Sequence, residues 1–94
     1  MKSREARRVE TSAKKLAQTY YQDKRWKIVR EEKLRLNPVC EQCEAAGRTR
    51  SAEEVHHMIP FMSAKSAMYR DRLAFDIDNL ESLCIECHKQ QHHS

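Results

Sequence analysis

Apolar positions in the first third of the chain recur at helical spacing. Between residues 4 and 22 they fall at i, i+4, i+7, i+8 and i+11, which places them on one face of an amphipathic helix. These positions are Val9, Ala13, Leu16, Ala17 and Tyr20. Residues 23–36 continue as a second predicted helix, with Trp26, Val29 and Leu34 as its expected core contacts. This helix is predicted to end at Asn37, because a following proline disfavours helical backbone in the residue before it.

Shorter elements are predicted in the rest of the chain. Residues 54–60 and 79–84 are apolar enough for two short strands, and residues 63–73 favour a short helix or an ordered loop. Gly47 predicts a turn, and residues 84–93 predict a final helix of one or two turns. The order is helix, helix, cysteine knuckle, strand, loop, strand, helix, which is typical of a small α+β fold.

Charge is distributed unevenly along the sequence. The formal net charge is +4, but residues 1–35 carry twelve Lys and Arg against five Asp and Glu, whereas residues 53–94 carry four against seven. We divide the chain into a basic N-terminal helical arm, residues 1–37, and a core, residues 38–94, within one structural unit. A basic arm favours a polyanionic partner such as nucleic acid, although a solvated helical face that binds nothing is the alternative that charge alone leaves open.

The expected cellular compartment of the protein follows from two kinds of segment that we do not find in the sequence. No stretch approaches the ~20 apolar residues of a membrane span, and the charged N-terminus has no apolar segment of a secretory signal. We therefore expect a cytoplasmic protein without membrane contact. Thiols stay reduced in that compartment, which favours metal binding over disulfides for the cysteines.

The four cysteines form two pairs, Cys40-x2-Cys43 and Cys84-x2-Cys87, with forty residues between the pairs. Two intervening residues allow both thiolates of a pair to face one tetrahedral ion, so two pairs predict a closed, structural zinc site. A chain of 94 residues buries little apolar surface, so such a site is expected to support the fold. An iron–sulfur cluster and a redox-active pair are the alternatives.

The five histidines lie in two groups. His56 and His57 are adjacent, so on a strand their side chains point to opposite faces, and one can bind a metal while the other acts as a base. His88 and His92 are four residues apart, so on a helix they share a face and can bind one ion. An ordinary surface position is the alternative for an isolated histidine pair and for His93.

Three segments, in order, resemble the parts of the HNH motif. They are residues 55–60 (VHHMIP), 78–80 (DNL) and 83–88 (LCIECH). The preceding residues resemble the lead-in of the phage and prophage HNH endonucleases. These are Trp26, Arg30, Leu34, Pro38 and the pair Cys40 and Cys43. The resemblance spans about residues 20–92.

This resemblance implies a ββα-metal (His-Me finger) nuclease domain, in which two strands and a helix hold one divalent ion. By position, His56 matches a metal ligand that is often Asp in relatives, and His57 matches the general base. Asn79 matches the motif asparagine, which helps to fix the loop and the orientation of the base. His88 matches the second protein ligand, and His92 lies where some members place a third.

The function implied is a metal-dependent DNA endonuclease that nicks or cuts both strands. Its cofactors would be a structural Zn²⁺ and one catalytic divalent ion, namely Mg²⁺, Mn²⁺, Ni²⁺ or Zn²⁺. Non-specific phosphate contacts are expected from the second helix. The residues concerned are Lys24, Arg25, Lys27 and Arg30. No base-reading module is recognisable, so low sequence specificity is expected. The phage-like lead-in suggests a prophage origin and a phage terminase as a partner.

Two other hypotheses concern the same residues. A non-catalytic zinc-containing DNA-binding or adaptor module would need the cysteines but would tolerate the loss of His57. A redox or metal-trafficking protein would use the cysteines alone and would leave His57 and Asn79 unexplained.

Overall fold

The computed structural model describes the backbone of residues 2–93 and the side chains of residues 12–91. Five α-helices and two strands lie within this range. They are α1 (Lys2–Tyr21), α2 (Lys24–Leu36), α3 (Glu41–Ala45), β1 (Glu54–His57), α4 (Ala67–Phe75), β2 (Leu80–Leu83) and α5 (Ile85–His93). This order confirms the predicted α+β class. None of the helices in the described range is long and apolar enough to cross a membrane.

Helix α2 has the boundaries that its sequence predicts. Asp23 caps its N-terminus, because the carboxylate accepts a hydrogen bond of 2.8 Å from the backbone N–H of Arg25. The helix ends at Leu36, directly before the Asn-Pro pair. Trp26 packs with Val55 of β1 and Leu80 of β2, and Val29 and Leu34 pack against this group, as expected.

Among the described side chains, the predicted apolar face of α1 contacts the rest of the protein at its C-terminal end. The side chain of Val9 lies outside the described residues, and Ala13 and Leu16 are exposed. Tyr20 is buried with Phe61, and Ala17 packs against the same cluster.

Strands β1 and β2 form an antiparallel pair in which His56 lies opposite Glu81 and His57 lies opposite Leu80. The predicted first strand continued to Pro60, but β1 ends at His57. Pairing stops because the backbone N–H of Ile59 donates to the side chain of Asn79 instead of to a strand, and proline has no N–H to donate. The segment after β1 was predicted as a helix or an ordered loop, and it contains a single helical turn (Phe61–Ser63) followed by α4.

An ion pair between a buried lysine and a partly buried glutamate joins α2 to α3 and β2. The Nζ of Lys33 lies 3.2 Å from Oε2 of Glu41 and donates to Oδ1 of Asn37 at 2.9 Å. The same Oε2 accepts a hydrogen bond of 2.6 Å from the backbone N–H of Ser82. Lys33 is only 8% exposed, so the carboxylate compensates a charge that water barely reaches. These bonds tie the basic arm to the cysteine-containing core.

Candidate active site and metal centre

The four cysteine sulfurs lie together in the core, where all four side chains are buried and none is in a disulfide. Every pair of sulfurs lies within 4.8 Å. Cys43 Sγ is 3.9 Å from Cys84 Sγ and 3.8 Å from Cys87 Sγ. A tetrahedral zinc with bonds of about 2.3 Å requires sulfurs about 3.8 Å apart, whereas a disulfide requires about 2.05 Å. The donor set therefore fits one tetrahedral metal ion.

Each half of this cysteine cluster belongs to a short helix. Cys40 caps α3, because its sulfur accepts from the backbone N–H of Cys43 at 3.5 Å. The chain then turns at Gly47, whose φ of +81° lies in the left-handed region that glycine tolerates. The turn brings the carbonyl of Arg50 within 2.7 Å of the N–H of Cys40, which closes the knuckle. The turn predicted at Gly47 is thus confirmed.

The surroundings give the thiols of the cysteine cluster different acidities. A backbone hydrogen bond from Cys87 lowers the pKa of Cys84 to about 6, whereas burial raises the pKa of Cys87 to about 12 and also raises that of Cys43. Four buried thiolates repel each other unless a cation lies between them. A bound divalent ion supplies that charge and favours the deprotonated form of every ligand.

Two of the predicted ligands of the catalytic ion face each other beside the cluster. His56 of β1 and His88 of α5 have ring centroids 5.8 Å apart, with an interplanar angle of 70°. Metal–nitrogen bonds of about 2.1 Å place two imidazoles that share an ion about 5–6 Å apart between centroids. The two rings therefore fit a common ion. The side chain of His92, the predicted third ligand, lies outside the described residues.

His57 occupies the opposite side of β1 and is only 7% exposed. Its Nε2 lies 3.1 Å from the carbonyl oxygen of Ala74. A carbonyl can only accept, so Nε2 carries the proton and the neutral ring keeps its lone pair on Nδ1. Trp26 stacks on the ring at 4.8 Å, and Phe61 contacts it edge-on at 4.9 Å. Burial is the main cause that lowers the pKa of His57, which favours the neutral form of a base.

Asn79 is buried beneath the loop that follows β1. Its Oδ1 accepts from the N–H of Ile59 at 2.9 Å, and its Nδ2 donates to the carbonyls of Ile59 and Leu73 at 3.0 and 2.8 Å. Leu73 directly precedes Ala74, whose carbonyl orients His57. Asn79 thus holds the residues that follow β1 against α4. The geometry therefore gives Asn79 a positioning role.

A cleft of about 690 Å³ brings these histidines together. His56, His57 and His88 line it, as do Tyr21 and Arg30 from the two N-terminal helices. Tyr21 was not among the predicted site residues. Helical spacing assigned its neighbour Tyr20 to the core, and the only remaining signal was a second aromatic residue directly after it.

The four predicted DNA-binding residues have different surroundings. Lys24 and Lys27 are exposed, and Arg30 lines the cleft while donating to the carbonyl of Glu53 at 3.2 Å. Arg25 makes two hydrogen bonds to Asp23 and lies over the ring of Phe75 at 4.4 Å. Arg25 therefore pairs with Asp23 away from the histidines' cleft, whereas Arg30 lines the same cleft as the histidines.

Comparison with known proteins agrees with this geometry. A family model described as HNH endonuclease matches residues 40–94, which is more than half of the chain. The chain therefore belongs to the HNH endonuclease family, and the ββα arrangement expected from the motif is the fold observed. No curated protein matches the chain.

A solved structure resembles nearly the whole molecule, including the N-terminal helices. It is the HNH endonuclease of the deep-sea thermophilic bacteriophage GVE2, crystallised with a manganese ion. The two chains share 25% sequence identity with a TM-score of 0.75, and the match covers 93% of this chain and 89% of the phage protein. The similarity supports a nuclease with a metal-binding site.

Proposed function

We propose that this chain is a metal-dependent endonuclease that hydrolyses phosphodiester bonds of DNA, with His57 as its general base. One observation carries the proposal: three histidines share one cleft, with His57 held at Nε2 by a backbone carbonyl and His56 facing His88. Family membership and a phage relative that was crystallised with manganese support the same function.

In this proposal His56 and His88 hold one divalent ion, with His92 as the third ligand. When bound, the ion polarises the scissile phosphate and stabilises the leaving oxygen. His57 accepts a proton from water at Nδ1, the water oxygen bonds to phosphorus, and the bond from phosphorus to the leaving alkoxide breaks. General-base assistance of this kind contributes about 10²–10⁴-fold to the rate.

The cysteine cluster has a separate role in the proposal. Cys40 and Cys43 come from the knuckle after α2, and Cys84 and Cys87 come from the start of α5. A Zn²⁺ held by all four would be closed to substrate and therefore structural. It would fix the helix that carries His88 against the basic arm.

DNA is the partner that the charges favour. Arg30 at the cleft, with Lys24 and Lys27 exposed on the same helix, would contact phosphates on both sides of the cut. Contacts of this kind carry little sequence information, so we propose low specificity. We further propose, from the resemblance to phage nucleases, that the enzyme works with a phage terminase.

The test is a plasmid-nicking assay on protein stripped of loosely bound metal, with Mg²⁺, Mn²⁺, Ni²⁺ or Zn²⁺ added back separately. Wild type is compared with His57→Ala and His57→Gln. Glutamine retains an N–H that can reach the carbonyl of Ala74 but has no basic nitrogen, so it separates loss of the base from loss of the fold. We expect metal-dependent relaxation or linearisation by wild type, and at least 10²-fold less by both variants.

Two results would contradict the proposal in different ways. Equal cutting by wild type and His57→Gln would show that His57 is not the base. Binding of DNA without cutting by any of the three proteins, whichever ion is present, would favour a zinc-containing adaptor module. The clustered cysteines and the exposed basic residues of α2 are the observations that make this adaptor the second candidate.

A further inference from the structure

We infer that Tyr21 forms a stacking site for a nucleobase next to the scissile phosphate. This inference rests on the proposed nuclease function and specifies which form of DNA the cleft accepts. Tyr21 is the last residue of α1, and its side chain projects into the cleft that contains the three histidines.

The ring of Tyr21 contacts buried aromatic rings and is itself half exposed. It contacts the buried rings of Trp26 at 5.6 Å and Phe61 at 5.5 Å, both in T-shaped arrangements. These rings are 9% and 4% exposed, whereas Tyr21 is 52% exposed. Its neighbours thus restrict its motion while leaving about half of its surface in water. A rigid, exposed aromatic ring loses little conformational entropy when a flat ligand stacks on it.

The position of Tyr21 limits what that ligand can be. Its ring centroid lies 6.2 Å from that of His57. Phosphates of one strand are about 3.4 Å apart along the axis of a duplex and farther apart in an unstacked strand, so a base stacked on Tyr21 would lie within about two nucleotides of a phosphate bound at the histidines. Burial also raises the pKa of Tyr21, so its hydroxyl stays neutral and does not repel phosphate.

The composition of the cleft agrees with a nucleoside rather than phosphate alone. Ala17, Pro60 and Met62 add apolar lining to the cleft that contains Tyr21, while Arg30, the histidines, Glu54 and Gln91 provide polar lining. A site for phosphate alone would need donors and cations but no apolar wall. Apolar lining together with Arg30 and the histidines matches a nucleotide, which has an apolar base face and an anionic backbone.

A stacking site has a consequence for the substrate. In a B-form duplex both faces of each base are covered by its neighbours, so a base can reach Tyr21 only where stacking is interrupted. We therefore expect preferred binding and cutting where DNA is single-stranded, gapped or easily distorted. Regular duplex would be cut more slowly than a duplex with a gap at the same position.

The experiment measures binding of single-stranded DNA with and without bases. Two fluorescent oligonucleotides of about twelve nucleotides have identical phosphates, but one carries thymines and the other only abasic residues. Binding is followed by anisotropy with the His57→Gln protein, so that cutting does not interfere. Three further variants in this background are compared: Tyr21→Leu, Tyr21→Trp and, as the matched control, Tyr69→Leu. Tyr69 is equally exposed on α4 but does not line the cleft.

We expect the thymine oligonucleotide to bind about tenfold more tightly than the abasic one, since one stacked base contributes a factor of this order. Tyr21→Leu should reduce that ratio to less than about twofold, whereas Tyr21→Trp and Tyr69→Leu should keep it. A ratio near one in the parent protein, or an unchanged ratio in Tyr21→Leu, would overturn the inference. These binding measurements do not depend on nicking. They therefore test the stacking site separately from the nuclease activity, which the plasmid assay measures.

Discussion

The cysteine cluster and the histidine cleft are adjacent in sequence and in space, yet they are constructed differently. Cys87 and His88 are consecutive residues of α5, and the same helix therefore contributes to both. The sulfur atoms are enclosed, with Cys40 fully buried, whereas His56 and His88 are half-buried and line an open cleft. One site has four protein donors that fit a tetrahedron, whereas the other, within residues 12–91, has two facing donors beside an open cleft.

Because of this difference, we expect the cysteine cluster to contribute to the stability of the fold and the histidine cleft to contribute to hydrolysis. A closed set of four thiolates leaves no position for substrate, so a metal bound there would only stabilise the fold. An incomplete set of ligands leaves positions for water and phosphate, which hydrolysis requires. Changes at the cysteine cluster should therefore lower stability, and changes at the cleft should lower activity while the protein stays folded.

The largest effect is expected from Cys84→Ser. A serine hydroxyl is a poor zinc ligand at neutral pH. Loss of the zinc would leave the three remaining buried thiols without a cation. We expect no cooperative thermal transition and less than one equivalent of tightly bound zinc, measured by circular dichroism and elemental analysis. The adjacent His88→Ala should abolish nicking but retain the melt. A strong chelator that leaves the wild-type melt unchanged would refute the structural role of the metal.

Glu41→Gln should have the next largest effect, again on stability. It removes the charge that compensates Lys33, which is 10% exposed in its side chain. Breaking one partner of a buried pair costs about 3–5 kcal/mol, and we expect about 3 because the Glu41 side chain remains 33% exposed. Urea unfolding measures the loss. The double variant Lys33→Met/Glu41→Gln should regain part of it, and purely additive losses would contradict the ion-pair explanation.

Much of the fold could be predicted because its signals are local. Helical spacing marked α2 and its contacts Trp26, Val29 and Leu34, and proline marked its end. The spacing of the cysteine pairs predicted their clustering, since two intervening residues already bring two sulfurs to one side of a turn. Strand alternation likewise predicted that His56 and His57 point to different sides.

The features that escaped prediction depend on residues that are distant in the chain. The end of β1 is determined by the side chain of Asn79, more than twenty residues later, which takes the N–H that the strand would have used. The pairing of Lys33 with Glu41 joins two helices that are separated by the break after Leu36, so helical spacing could not reveal it. Tyr21 lines the cleft because α1 ends there, and no periodic pattern describes a helix end.

Asn79→Ala should lower both the stability of the fold and the activity of the cleft. Removal of the Asn79 amide leaves the N–H of Ile59 and the carbonyls of Ile59 and Leu73 without these hydrogen bonds, at a cost of about 1–3 kcal/mol. The loop that presents the Ala74 carbonyl to His57 should also loosen. We expect kcat for nicking to fall about tenfold while KM for DNA changes little. Asn79→Asp keeps an acceptor for Ile59 and should lose less. A change in KM alone would place Asn79 in DNA binding instead.

The smallest effect is expected from single arginines of α2, and it distinguishes the two that were predicted together. Arg30 lines the cleft, whereas Arg25 is paired with Asp23 and lies over Phe75. Arg30→Ala should weaken duplex binding several-fold and reduce the slope of log Kd against log salt by about 0.9, the value for one phosphate contact. Arg25→Ala should leave the slope nearly unchanged, because its charge is already compensated.

Anisotropy titrations at several salt concentrations with the His57→Gln protein measure both slopes. Melting curves check that loss of the hydrogen bond from Arg30 to Glu53 leaves the fold intact. The reverse order would place DNA along the face of α2 that carries Arg25, away from the histidines.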